Sequence, residues 1–144
     1  MQPIHLASDH AGLALKAHLA RFLSEKGYDV TDHGTHSAAS CDYPVFAHKL
    51  CEAVQNEGSC GILICGTGIG MSIAANRHGG IRAALCATEL QGRLARQHND
   101  ANVLCLGARI IGLELAQAIA EAFLGATFEG GRHQRRVDLL TPPA

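Results

Sequence analysis

Tryptophan is absent from the 144 residues, and only two tyrosines and four phenylalanines are present. Nucleic-acid bases have no aromatic platform to stack on. Charge is scarce too: 12 Lys and Arg against 13 Asp and Glu leave a formal net charge of −1. A chain so balanced lacks the basic field of a general nucleic-acid or membrane-surface binder. The longest uncharged stretch, residues 58–76, holds five glycines along with Ser, Thr and Asn, which makes it a poor membrane span. At the N-terminus, MQPIHLASDH has neither a basic region nor a long apolar run, so no secretory signal is expected. Six cysteines without such a signal, four of them in apolar segments, read as reduced thiols in a cytoplasmic protein.

With 47% hydrophobic residues, the chain has enough apolar material for one core and one domain spanning 1–144. Short apolar runs alternate with helical patterns along it. Strands are expected at 4–8, 28–31, 61–65, 81–86 and 102–107. Helices are expected at 12–26, from Pro44 to 56, and at 70–77, 89–97, 113–124 and 133–140. Strands apolar on both faces and separated by helices imply a parallel sheet covered on both sides. The expected architecture is a Rossmann-like, three-layer α/β domain with strand order 2-1-3-4-5. Ligands of such sheets sit beyond the carboxyl ends of the strands, where the order reverses. That crevice lies between strands 1 and 3, so Asp9–His10 and Cys65–Gly70 should converge on it.

The stretch LICGTGIGMSIAAN (63–76) is a glycine-rich turn between a strand and a helix. It lacks the third glycine of the dinucleotide fingerprint, since Met71 stands there, and it has no lysine for a P-loop. What remains is a nest of N–H groups suited to an anion or a developing oxyanion. Cys65 stands one residue before it, either as the last core residue of a strand or as a thiolate favoured by the helix end. Asp9 reads equally as a helix cap. His98 stands in a His-Asn-Asp cluster before strand 5. Arg132 and Arg136 share a face at i, i+4, as an anion clamp or a solvated run. His33, His36 and Cys41 match no structural zinc spacing, and no metal site is expected. These parts suit proton transfer beside the carbonyl of a sugar phosphate, through an enediolate, with no cofactor.

The segments SDHAG (8–12), DYP (42–44), ILICGTGIGMSIAAN (62–76), GIRAALC (80–86), RQHNDANVLCLGAR (96–109) and EGGRHQRR (129–136) closely resemble the type B ribose-5-phosphate isomerases, in the same order. The resemblance implies a metal-independent enzyme interconverting ribose 5-phosphate and ribulose 5-phosphate as a homodimer or tetramer. It implies that Cys65 is the base and that Gly66, Gly68, Ile69 and Gly70 cradle the enediolate, with Thr67 assisting. Asp9 and His98 would open the furanose ring. Asn99, Tyr43 and Ser72 would touch the sugar, and His10, Arg109, Arg132 and Arg136 the phosphate. One branch of the family carries a glutamate where Met71 stands and lacks the cysteine; Cys65 and Met71 put this chain in the other branch. Relatives acting on allose 6-phosphate or galactose 6-phosphate keep six-carbon substrates open, and a non-catalytic nucleotide- or anion-binding module is the rival from another class. The resemblance also implies that His98–Asn99 and Arg109 complete the Cys65 site of a partner subunit.

Overall fold

A computed structural model describes residues 2–144. The chain runs β1 (Pro3–Ser8), a 3-10 turn (His10–Gly12), α1 (Leu13–Glu25), β2 (Asp29–Asp32), α2 (Tyr43–Glu57) and β3 (Cys60–Cys65). It continues through α3 (Ile69–Ala75), β4 (Ala83–Leu85), α4 (Glu89–Asn99), β5 (Val103–Gly107), α5 (Leu113–Gly125) and α6 (Arg132–Asp138). All strand pairings are parallel.

Side-chain alternation in the central strands builds two cores, one on each face of the sheet. Ile4, Leu6, Ile62, Ile64, Leu104 and Leu106 meet α1, α4 and α5 through Leu15, Leu19, Ala95, Ile119 and Phe123. Ala7, Leu63, Cys65, Val103 and Cys105 point the other way, against Leu50, Cys51 and Val54 of α2 and Met71 of α3. β3 and β5 are buried along their whole length, as strands covered on both faces must be.

The strand order is β2-β1-β3-β5-β4, so the expected 2-1-3-4-5 is corrected at its last two places. Burial explains the exchange. β5, VLCLG, is inaccessible throughout, whereas β4 is three residues of partly exposed AAL, fit for an edge. The switch point between β1 and β3 is untouched.

Two element ends matter for the site. α4 begins on a Thr88 cap, whose hydroxyl accepts from Gln91 N–H at 3.1 Å, and runs on to Asn99. His98 and Asn99 therefore occupy the last turn of a helix and not the loop before β5. A 3-10 turn precedes α1 because Asp9, 7% exposed, caps it by accepting from Gly12 N–H at 3.1 Å.

Candidate active site

Parallel strands aim all their carboxyl ends one way, and β1, β3 and β5 end level with one another. Ser8 pairs with Ile64, and Cys65 with Gly107. Asp9, Cys65 and the residues after Gly107 therefore share one edge of the sheet. Asp9 N–H donates to Ile64 O at 3.2 Å, which ties the first constellation to the second through the backbone.

Cys65 is 5% exposed, with its side chain in the α2–α3 core layer. The chain then turns sharply. Gly68 adopts φ +79°, a left-handed conformation that favours glycine, and its N–H donates to Cys65 Sγ at 3.2 Å. A side chain at Gly68 would also strike Leu85 and the backbone of Leu106. Thr67 Oγ1 accepts from Ile69 N–H at 3.2 Å, and Ser72 Oγ donates to Ile69 O at 2.7 Å. Both hydroxyls brace the turn. Ile69 lies on its outer side, 52% exposed. Tyr43, at the start of α2, lies against Gly70 so closely that any Cβ there would collide with its ring.

His10 follows Asp9 in the 3-10 turn, and its Nδ1 accepts from Cys41 N–H at 3.2 Å. With Nδ1 an acceptor, the neutral ring carries its proton on Nε2 and presents a donor there. That gives the Cys41 segment a function that its sequence did not suggest. His33 Nε2 instead bonds to His5 Nδ1 at 2.8 Å. Arg109 is at the carboxyl edge too. Its N–H donates to Gly66 O at 2.9 Å, and its guanidinium lies against Gly66 of the same chain. Within one chain Arg109 is therefore already beside the Cys65 turn.

The remaining candidates are elsewhere. α4 runs antiparallel to the strands, so its last turn lies at the amino edge of the sheet, where the chain turns through Asp100 into β5. The length of β5 alone separates the edges by roughly 13 Å. Asn99 lines a groove of about 410 Å³ there, together with Arg82 and Leu140. α6 docks beside it, with Glu129 N–H donating to Gln97 O at 3.0 Å. α6 is helical as the arginine spacing required, and Arg132 and Arg136 are both exposed on it.

Sequence reasoning missed two residues here. The His133 ring stacks on that of His98, with centroids 4.3 Å apart and planes 11° from parallel. Glu129 Oε1 lies 3.5 Å from His133 Nε2 and 3.9 Å from His98 Nε2. Burial first, and the facing His98 next, hold the His133 pKa below its ordinary value. Both residues stand in EGGRHQRR, but only their contact with α4 distinguishes them from the arginines around them.

One chain thus carries two separate polar clusters. At the carboxyl edge are a thiol, a glycine turn, a capped carboxylate and a histidine with an outward N–H. At the amino edge are a second histidine, an amide and a pair of free guanidinium groups.

Residues 4–140 match the model of a family described as Ribose/Galactose Isomerase. The chain is 50% identical over 142 residues to ribose-5-phosphate isomerase B of Escherichia coli, covering 98% of this chain and 95% of that one. A solved ribose-5-phosphate isomerase B from Clostridium thermocellum superposes with a TM-score of 0.95 at 50% identity, over 96% of this chain and 95% of that one. The Mycoplasma genitalium enzyme, solved with bound ribulose 5-phosphate, superposes at 0.92 with 46% identity, over 96% and 93%. Fold, motif order and near-complete coverage agree, and the chain belongs to the ribose/galactose isomerase family.

Proposed function

We propose that the protein interconverts ribose 5-phosphate and ribulose 5-phosphate through an enediolate, with Cys65 as the base. The observation that carries this reading is the Cys65 thiol facing the Gly68 N–H at 3.2 Å, at the mouth of a glycine turn on the switch point of the sheet. A backbone donor aimed at sulfur is a partner for a thiolate, and the N–H groups of the turn suit an oxyanion.

The substrate enters as a furanose. In the ring-opening step, Asp9 and His98 together take the proton from the anomeric hydroxyl and return one to the ring oxygen, which leaves a C1 aldehyde. The Cys65 thiolate then removes the proton from C2. The electron pair flows into the C1 carbonyl, and the turn from Gly66 to Gly70 holds the resulting enediolate oxygen. Thr67 assists the proton exchange between O1 and O2. The Cys65 thiol then returns its proton to C1, giving the 2-ketose and restoring the thiolate. His10 and the arginines hold the phosphate, whose binding energy orients the reacting carbons.

His98 and Cys65 of one chain lie at opposite edges of the sheet, so the scheme needs a second copy. A two-fold dimer that places the amino edge of one chain over the carboxyl edge of the other builds two complete sites by symmetry. Ile69, Ile73, Ile110 and Leu113, each at least half exposed, supply apolar surface near the carboxyl edge for such a contact. A small phosphorylated substrate and six free thiols suit a cytoplasmic setting.

A coupled assay of ketose formation tests the proposal, run side by side on ribose 5-phosphate, allose 6-phosphate and galactose 6-phosphate. Turnover fastest on ribose 5-phosphate is expected. Faster turnover of a six-carbon phosphate would reassign the substrate. No ketose from any of the three at micromolar enzyme would leave an anion-binding module.

A further inference from the structure

The pair of histidines at the amino edge has a feature that the isomerase scheme leaves unused. His133 is 8% exposed, and its Nε2 is buried without a hydrogen-bond partner. Glu129 Oε1 is 3.5 Å away and makes no hydrogen bond with it. An imidazole nitrogen stripped of water and left unsatisfied is costly and calls for an explanation. One donor atom from each of His98, Glu129 and His133 lies within 4.8 Å of the other two.

We propose that His98, Glu129 and His133 form a binding site for a divalent transition-metal ion of the zinc type, and that the ion, by capturing His98, switches the isomerase off. The second clause rests on the ring-opening role proposed for His98; the first does not.

Two imidazoles and one carboxylate make a donor set that zinc takes with a water or substrate oxygen in the fourth place. Magnesium and calcium prefer all-oxygen shells, so the set discriminates against the commoner divalent ions. Metal–nitrogen bonds of about 2.0–2.1 Å require the donors to close in. The His98 ring must also turn out of its stack on His133, so that both ring nitrogens face one ion. Exposure leaves room for that: the Glu129 and His98 side chains are 51% and 36% exposed, while His133 is packed in as the anchor. A ligand must be neutral imidazole, and His133 is already biased to that form by burial and by the cations around it. Arg132 and Arg136 oppose the cation electrostatically, and both face solvent, where screening blunts the opposition.

The ring-opening histidine must exchange a proton through a ring nitrogen. A metal bound to His98 Nε2 occupies that lone pair and blocks the exchange, whatever the sugar. The block is reversible, because a chelator removes the ion.

Cobalt serves as the spectroscopic probe and zinc as the inhibitor, both on the full-length protein. Six free thiols are an alternative sink, so Cys65→Ser is the control. Wild type and Cys65→Ser should each bind one equivalent of Co2+, with tetrahedral visible absorption lacking the thiolate-to-cobalt band. His133→Ala and Glu129→Gln should each weaken this by at least about tenfold. Their circular dichroism should match wild type. Zn2+ should inhibit wild-type turnover, EDTA should restore it, and the midpoint should rise in parallel in Glu129→Gln. Unchanged one-equivalent affinity in His133→Ala, or a thiolate band that vanishes in Cys65→Ser, would overturn the site. Metal bound at His98 without inhibition of an active isomerase would overturn the switch. An inactive wild type that still binds one equivalent would overturn the isomerase proposal and leave the site standing.

Discussion

The two edges of the sheet hold their polar groups in different ways. At the carboxyl edge the backbone does the holding. Cys65 ends a buried strand, Asp9 is locked by the Gly12 N–H, and Gly68 turns the chain through a left-handed conformation. At the amino edge the groups ride on side chains at helix ends, with Asn99, Arg132 and Arg136 open to solvent. Groups that touch a carbon undergoing proton transfer need sub-ångström placement, which strand ends and tight turns supply. Groups that grip a phosphate tolerate more latitude, and long guanidinium arms provide reach. The proposed scheme draws on both edges for each task. His98 at the amino edge would share ring opening with Asp9, and His10 and Arg109 at the carboxyl edge would share the phosphate with Arg132 and Arg136.

Replacing the best-placed group should break the comparison most severely. Cys65→Ala is expected to lower turnover by about 10²–10⁴-fold, the usual loss for a positioned base, because Met71 stands where the other branch of the family carries a glutamate. Phosphate binding should survive, since the amino-edge arginines are untouched. Retention of a tenth of the activity would assign the base elsewhere. Deuterium exchange from solvent at C2 of the aldose should disappear with turnover.

Mixing lesions from the two edges sharpens the contrast. Cys65→Ala and His98→Ala, each nearly inactive, are refolded together. Shared sites leave a mixed dimer with one doubly damaged and one intact site, so about a quarter of wild-type activity should return. Sites built within one chain would return none, and well-folded mixed dimers without activity would refute sharing.

Arg136→Ala asks whether this arginine only binds. Loss of one charged hydrogen bond should raise KM by about 10–100-fold, with kcat changed far less. An equal fall in kcat would make this arginine a participant in the transition state.

The smallest effect concerns a network linking the two edges. Buried His5 donates or accepts through both nitrogens, to His33 at 2.8 Å and to Glu57 at 2.7 Å. Burial, and His5 after it, lower the His33 pKa from 6.5. A lowered histidine favours the fold in its neutral form, and that contribution is present above pH 6.5 and lost as pH falls through the folded value. Urea unfolding of His33→Gln between pH 7 and 5 should therefore show a shallower decline than wild type. An identical slope would show that another group sets the acid limb.

Much of this was legible in the residues because it is local or topological. Gly-rich LICGTGIGMS and SDHAG each follow an apolar strand, and a parallel sheet brings such ends together without further information. The order of the last two strands was not, since Ala83–Leu85 and Val103–Gly107 both read as apolar runs and pairing depends on partners far along the chain. Glu129 and His133 escaped notice because a single backbone bond to Gln97 sets them beside His98. Glu57 reaches His5 across 52 residues, a separation at which no periodicity speaks.

The burial of the cysteines also has a consequence for chemical labelling. Desolvation pushes the Cys51 thiol up to about 12 and Cys86 to about 11, and raises Cys60 and, still further, Cys105. Alkylating reagents attack thiolate, so at neutral pH these four are silent while the fold persists. Modification of the native chain then points first to Cys41, the least buried thiol, and the later arrival of these four dates the moment of unfolding. Chemically identical groups become, through packing alone, a surface reporter and an internal clock.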